Sequence, residues 1–308
     1  MALFTYEPVP CPICGSADHI PVRRYHIVRR RHLEILRDVL HQPVTAVRCR
    51  SCGHHYLNPC PTQESLKAYY HDGYFRDDES APTNRDLRLT LADRLYFGLS
   101  RRLPLSSGRL LDVGAGNRKF LLWAHQRGYE VQGFDAAVYP CVAGSESLPV
   151  EIGDFQEFTA FAPASFDLIT LWWVIEHLRE PVPCVHKIFS LLRPGGFFVI
   201  ATSNYGSLES RFWGDYWHHL VLPEHVSQFS MASLCRLVEG AGFVVTRRRH
   251  DPLSFDTSLS LWELCQHKWG ISLPLQGLAA KLLCAPFGPL RSFLRLSGLI
   301  TVMCRKPR

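Results

Sequence analysis

Short apolar runs, separated by segments of helical spacing, constrain this chain most. From Arg109 onward, the runs Leu110–Val113, Glu130–Phe134, Phe166–Trp173, Phe197–Ala201 and Phe243–Arg247 alternate with helical stretches at Arg118–Arg127, Val182–Leu192 and Met231–Glu239. Strands that alternate with helices pack as a mostly parallel sheet, because each crossover lays a helix on one sheet face. Leu299–Cys304 reads as a last strand, and Ser230 as the cap of the Met231 helix. The pattern predicts an α/β chain on a Rossmann-like sheet. Residues 252–298 break the alternation and read as a helical insertion rich in Leu, Trp and Pro.

The first of these strands ends in a tight turn, Asp112-Val113-Gly114-Ala115-Gly116-Asn117-Arg118-Lys119-Phe120. Gly114 and Gly116 let the backbone turn sharply and approach a ligand closely. A dinucleotide fingerprint would place a third glycine where Lys119 stands. Asp112, two residues before the first glycine, would repel a pyrophosphate and suits a cationic ligand. Asp135 ends the second strand, 23 residues after Asp112. A carboxylate there accepts hydrogen bonds from ribose hydroxyls. Gly153-Asp154-Phe155 follows a further strand-like piece. Asp154 is placed to accept from an adenine amine, and Phe155 to pack near the ring. The order of these residues describes a nucleoside without phosphates.

The front of the chain carries a different signal. Cys11-Pro-Ile-Cys14-Gly15 and Cys49-Arg-Ser-Cys52-Gly53 form two CxxCG knuckles, with 34 residues between Cys14 and Cys49. Four thiolates on two knuckles are the tetrahedral set that a structural Zn²⁺ prefers, so Cys11, Cys14, Cys49 and Cys52 are the expected metal ligands. Two free-thiol turns are the plainer alternative. Asn58-Pro59-Cys60-Pro61 marks a break. The expected division is a zinc-ribbon-like module at 1–60, a helical linker or lid at 61–104, and the α/β domain at 105–308. Of the net charge of +6, residues 1–60 carry +4, from eight Arg against four acidic residues. The run from Arg23 to His32, with Arg29, Arg30 and Arg31, suits RNA phosphate, and equally the solvated face of a small module. Met1–Pro10 has no basic n-region and no apolar h-region. The apolar stretch Leu278–Cys304 is cut by Lys281, Pro286, Pro289, Arg291 and Arg295. The expectation is a cytoplasmic chain without a membrane span, its cysteines thiols or metal ligands.

From about Leu110 to Phe243 the chain resembles the class I S-adenosylmethionine-dependent methyltransferases. The residues that carry the resemblance are Leu-Leu-Asp112-Val-Gly114-Ala-Gly116, Gly133-Phe-Asp135, Gly153-Asp154-Phe155, Phe166-Asp167 through Trp172-Trp173-Val-Ile-Glu176-His177-Leu, Leu191-Leu-Arg-Pro194-Gly195-Gly196 and Ala241-Gly242-Phe243. The front end resembles a bacterial subgroup with CxxCG, CxxCG and NP in that order, whose members often modify sugars or small metabolites. The resemblance implies a seven-stranded, mostly parallel sheet with the last strand antiparallel, and S-adenosylmethionine as cofactor. It implies Asp112, Gly114, Ala115 and Gly116 at the methionine end, Asp135 on the ribose, and Asp154 with Phe155 at adenine. The backbone around Leu171–Trp173, including Trp172, would flank the sulfonium. Arg118 replaces the family's third glycine and is expected to meet the ligand carboxylate at the helix start.

Methyl transfer displaces a neutral thioether in line, so the protein mainly aligns the two reactants and excludes water. A base is needed where the acceptor is a hydroxyl or a carbon acid. His177 follows the fourth strand and stands beside the expected methyl group. His225 lies in the loop Trp217-His218-His219-Leu-Val-Leu-Pro-Glu224-His225, which should overhang the pocket. These are the catalytic candidates. The expected reaction is methylation of a small molecule such as a sugar, a secondary metabolite or a lipid-linked intermediate. Two rivals are an RNA base methyltransferase that grips RNA with the zinc module, and a zinc-ribbon scaffold with a degenerate cofactor site.

Overall fold

The computed structural model describes residues 4–25, 44–69, 88–100, 103–251, 256–271, 293–294 and 297–308. The front contains β1 (Tyr6–Glu7), β2 (His19–Tyr25), β3 (Val44–Cys49), β4 (His55–Leu57), β5 (Cys60–Pro61) and helix α1 (Gln63–Ala68). Helix α2 (Leu91–Ser100) leads into β6 (Gly108–Val113), α3 (Lys119–His125), β7 (Tyr129–Asp135), β8 (Val150–Ile152) and β9 (Phe166–Trp172). After these come α4 (Pro181–Leu191), β10 (Leu192–Ser203), α5 (Leu208–Trp213), β11 (Ser227–Gln228), α6 (Met231–Gly240), β12 (Val244–His250), α7 (Asp256–Trp269) and β13 (Leu299–Arg305). The segment Arg29–Arg31 and most of the insertion at 252–298 lie outside the described residues.

Seven strands form the main sheet in the order β12-β13-β10-β9-β6-β7-β8. Strands β10, β9, β6, β7 and β8 run parallel, and β13 runs antiparallel between β10 and β12. This is the expected sheet, with its last strand reversed. Side chains along a strand alternate between faces, and the core divides accordingly. Leu111, Val113, Ile169, Leu171, Phe198 and Ile200 pack on one face with α4 and α6, through Ile188, Leu234 and Val238. Leu110, Leu168, Trp172, Val199 and Ala201 pack on the other with α2 and α3, through Phe97, Phe120 and Trp123. Because both faces are covered, these strands read in the sequence as continuous apolar runs. Local signals set the helix starts. Pro181 opens α4, and Ser230 and Ser233 form a capping box on α6.

Chain order reverses between β6 and β9. Their carboxyl ends diverge into loops on opposite faces and leave a crevice, the usual ligand position in such sheets.

A second sheet, β11-β4-β3-β2, is antiparallel throughout. Its edge strand β11 comes from far along the chain, with Ser227 opposite Tyr56 and Gln228 opposite His55. The Leu57 N–H also donates to the Val226 carbonyl at 2.9 Å. Tyr25, Val44, Ala46 and Leu57 of the front bury themselves against Trp217, Leu220 and Leu222. Arg23 pairs with Asp215 at 2.8 Å. The cysteine-bearing front is thus continuous with the segment that carries His225. Among the described residues, no helix is long and apolar enough to cross a membrane.

Candidate active site

The glycine turn lies at the carboxyl end of β6. Gly114 has φ +82, and a Cβ added there would come within 2.2 Å of Val174 Cγ2. Only glycine fits this position without moving Val174. Gly116 has φ +50, and a Cβ there would meet no atom within 4 Å. Its outer side is open, as a backbone must be where a ligand lies against it. The Gly114 and Ala115 N–H groups both donate to the Phe134 carbonyl, at 2.7 and 3.1 Å. That ties the turn to the end of β7.

Asp135, at the end of β7, is 6% exposed. Its carboxylate accepts from Gly116 N–H at 2.7 Å and Ala137 N–H at 3.3 Å. Burial pushes the Asp135 carboxyl above its ordinary range, against the pull of these backbone donors. Asp112 sits deeper, 2% exposed, and accepts from the Thr170 hydroxyl at 2.6 Å. It stands under the turn, bridging β6 to β9, rather than on the open surface of the crevice. Asp154 follows Gly153, which faces open space. Its carboxylate accepts from Gln156 N–H at 2.9 Å and pairs with Lys67 Nζ at 2.9 Å. Partial burial raises the Asp154 carboxyl, but Lys67 and the Gln156 and Glu157 N–H groups outweigh it and hold it below its usual range. Phe155 packs edge-on to Phe134 at 5.1 Å, with Lys187 Nζ 4.9 Å from its ring centre.

One expectation needs correction. Arg118 does adopt the left-handed conformation, φ 64, that the missing glycine would have served. Its guanidinium, however, turns away from the helix start and donates to the Ser145 and Glu146 carbonyls at 3.2 and 3.3 Å. Trp172 points from the sheet into the core, 6% exposed, with Phe120 edge-on at 5.2 Å. Strand alternation sends it there.

The other end of the crevice gathers around the turn after β9. Glu176 and His177 lie in a short 3-10 turn, Ile175–His177. His225 reaches it from the loop before β11, and the two imidazoles meet edge to face at 4.6 Å. His225 Nδ1 donates to the His219 carbonyl at 2.8 Å. The Glu224 side chain accepts from the Tyr69 hydroxyl at 2.6 Å. The packing around His177 depresses its imidazole to about 4, against a bond to the Glu224 backbone carbonyl, so the ring is neutral near pH 7. Glu176 is 1% exposed, and burial pushes its carboxyl up to about 7. His177 and His225 were named separately from their positions in the chain, and Glu176 only within the matched run; nothing in the sequence put Tyr69 behind Glu224 or Lys67 on Asp154.

The front cysteines converge as their spacing predicts. Cys11 and Cys52 Sγ lie 3.5 Å apart, as do Cys14 and Cys49, and all four sulfurs fall within 4.8 Å of one another. Ligands about 2.3 Å from a tetrahedral zinc stand about 3.8 Å apart, so the set fits Zn²⁺. Gly15 and Gly53 N–H close the two knuckles on the Cys11 and Cys49 carbonyls, at 2.8 and 3.0 Å.

The family described as methyltransferase domain matches residues 84–248, more than half of the chain. A ubiquinone biosynthesis O-methyltransferase of Xylella fastidiosa is 32% identical over 113 residues, 34% of this chain and 46% of that protein. One of Aeromonas salmonicida is 31% identical over 151 residues, 44% of this chain and 63% of that protein. One of Cereibacter sphaeroides is 28% identical over 228 residues, 68% of this chain and 82% of that protein. The chain thus spans about half the length of the first of these relatives. Among solved structures, an S-adenosylmethionine-dependent methyltransferase of Mesorhizobium loti aligns with a TM-score of 0.47 at 17% identity, over 69% of this chain and 97% of that one. By the matched domain and the ordered residues that form its crevice, the chain belongs to the S-adenosylmethionine-dependent methyltransferase family.

Proposed function

We propose that the chain transfers the methyl group of S-adenosylmethionine to an oxygen of a small hydroxylated molecule. The observation that carries the reading is the pairing of Asp135 with the open side of Gly116 at the switch point. A carboxylate there takes the ribose hydroxyls, and the bare glycine backbone admits the methionine end. Ala115 and Gly114 shape that turn, and Asp112 holds it from below. Asp154 and Phe155 stand at the adenine end. Lys67 also holds Asp154, so α1 closes that side of the pocket.

S-adenosylmethionine supplies an activated methyl on a sulfonium. As the carbon–oxygen bond forms, the carbon–sulfur bond breaks, a neutral thioether leaves, and the acceptor hydroxyl gives up its proton. His177 and His225 stand at the carboxyl edge of β9, where the acceptor would lie, to orient it and take that proton. The names of the relatives, O-methyltransferases of ubiquinone biosynthesis, support an oxygen acceptor. A sugar, a secondary metabolite and a lipid-linked intermediate are the acceptor classes to screen. The four cysteines would hold a structural zinc that fastens the front sheet to the His225 loop. Arg23, spent on Asp215, does not favour a grip on RNA.

The test is a heat-of-binding titration with S-adenosylmethionine, followed by a mass-spectrometric screen of hydroxylated acceptors. Saturable binding and a product heavier by one methyl on oxygen support the reading. No binding of the cofactor would leave a degenerate scaffold, and a methyl on nitrogen or carbon would refute the oxygen acceptor.

A further inference from the structure

The geometry points to a second metal site: we propose that Glu176, His177 and His225 bind a divalent first-row transition metal such as Mn²⁺, Fe²⁺, Co²⁺ or Zn²⁺. The proposal rests on reading this end of the crevice as the acceptor side; with the ion bound, the two imidazoles orient the acceptor through the ion, and water rather than histidine takes the proton.

The three side chains come from two distant segments, yet one ligand atom of each lies within 4.8 Å of the others. Nitrogen and oxygen ligands about 2.1 Å from one ion stand about 3.0–3.4 Å apart, so shifts of about 1 Å complete the set. Glu176 supplies an independent observation. It is 1% exposed; Thr202 and the Ser203 and Glu176 backbone N–H groups favour its charged form, yet its Oε2 is buried without a partner of its own. A buried carboxylate oxygen left unmatched is costly; a proton removes the cost, and a divalent ion does so while also engaging the two imidazoles beside it.

The histidines are also held as metal ligands are held. Imidazoles on a metal commonly donate their other ring N–H to a carbonyl or carboxylate, which fixes the tautomer and the ring direction. His225 Nδ1 donates to the His219 carbonyl at 2.8 Å, which places the lone pair on Nε2. His177 bonds the Glu224 backbone carbonyl. That residue's side chain is itself held by Tyr69. Two imidazoles and one carboxylate form a facial set that suits borderline transition metals. Mg²⁺ and Ca²⁺ prefer oxygen-rich sites. Three protein ligands leave open positions on the ion. A hydroxylated acceptor placed there would be oriented, and its hydroxyl made more acidic, by the ion's charge. The four cysteines share no residue with this set and offer softer donors.

The test uses the full chain with zinc retained by its cysteines, dialysed against a mild chelator and titrated with Mn²⁺. The free ion is followed by electron paramagnetic resonance. Manganese competes poorly for thiolates, so the signal counts nitrogen and oxygen sites. The wild type is expected to bind one Mn²⁺ per chain without cofactor or acceptor present. His225→Ala and Glu176→Gln should weaken that binding by about 100-fold or more while keeping affinity for S-adenosylmethionine. A wild type that binds no Mn²⁺, or variants that bind it as well as the wild type, would overturn the site. If a variant does not fold, the wild-type count still decides. One Mn²⁺ bound by a chain that ignores S-adenosylmethionine would sink the proposed reaction and leave the metal site standing.

Discussion

The two ends of the crevice are assembled in different ways. The proposed cofactor end comes from successive strand ends of one sheet: Gly114 and Gly116 after β6, Asp135 at the end of β7, Asp154 after β8. Backbone hydrogen bonds between neighbouring turns hold it, such as Gly114 to Phe134 and Gly116 to Asp135. The proposed acceptor end joins the turn after β9, the loop that carries His225, and Tyr69 behind α1. That loop is fixed by β11, which belongs to the front sheet. One end is therefore local and inherits the rigidity of the main sheet. The other is long-range and depends on the cysteine-bearing front.

This contrast can be broken from either side. The largest effect is expected from Asp135→Ala. Loss of charge-assisted bonds to two ribose hydroxyls should weaken cofactor binding by about 100-fold or more, measured by calorimetry. His225→Ala should lower turnover by about 100-fold at saturating cofactor, with cofactor affinity unchanged. Cys49→Ser should release the proposed zinc and loosen β4, β11 and the His225 loop. Acceptor turnover should then fall by about tenfold while cofactor binding persists, because the metal's binding energy is part of the folding energy of the front alone. Gly114→Ala sharpens the local side. The positive φ and the approach to Val174 should cost about 1–3 kcal/mol in urea unfolding. The smallest effect is expected from Lys67→Ala. The pair with Asp154 is half exposed, so cofactor affinity should change by less than about fivefold.

The same contrast explains what could be read from the chain alone. The buried strands announced themselves as apolar runs because both faces of the sheet are covered. The placement of Asp135 beside the glycine turn was legible because it follows from where the strands end. The cysteine knuckles were legible because their spacing is the geometry. By contrast, β11 is two residues long, Ser227–Gln228, and nothing in that pair signals a strand. Its pairing with β4 follows from burial of Trp217, Leu220 and Leu222 against the front, a contact between segments far apart in sequence. Lys67 meets Asp154 for the same reason. Arg118 was misread because its backbone, once left-handed, sends the side chain toward Ser145 rather than along the helix axis. The Trp172 side chain turns into the core because strand parity decides which way it points, while the expectation placed only its backbone at the sulfonium.

The central claim is that cofactor and acceptor are held by separable ends of one crevice. Calorimetric titration of S-adenosylmethionine into the wild type, Asp135→Ala and His225→Ala side by side tests it most directly. The wild type and His225→Ala should bind with equal affinity, and Asp135→Ala about 100-fold or more weaker. Equal binding by all three, or loss of binding in His225→Ala, would contradict it.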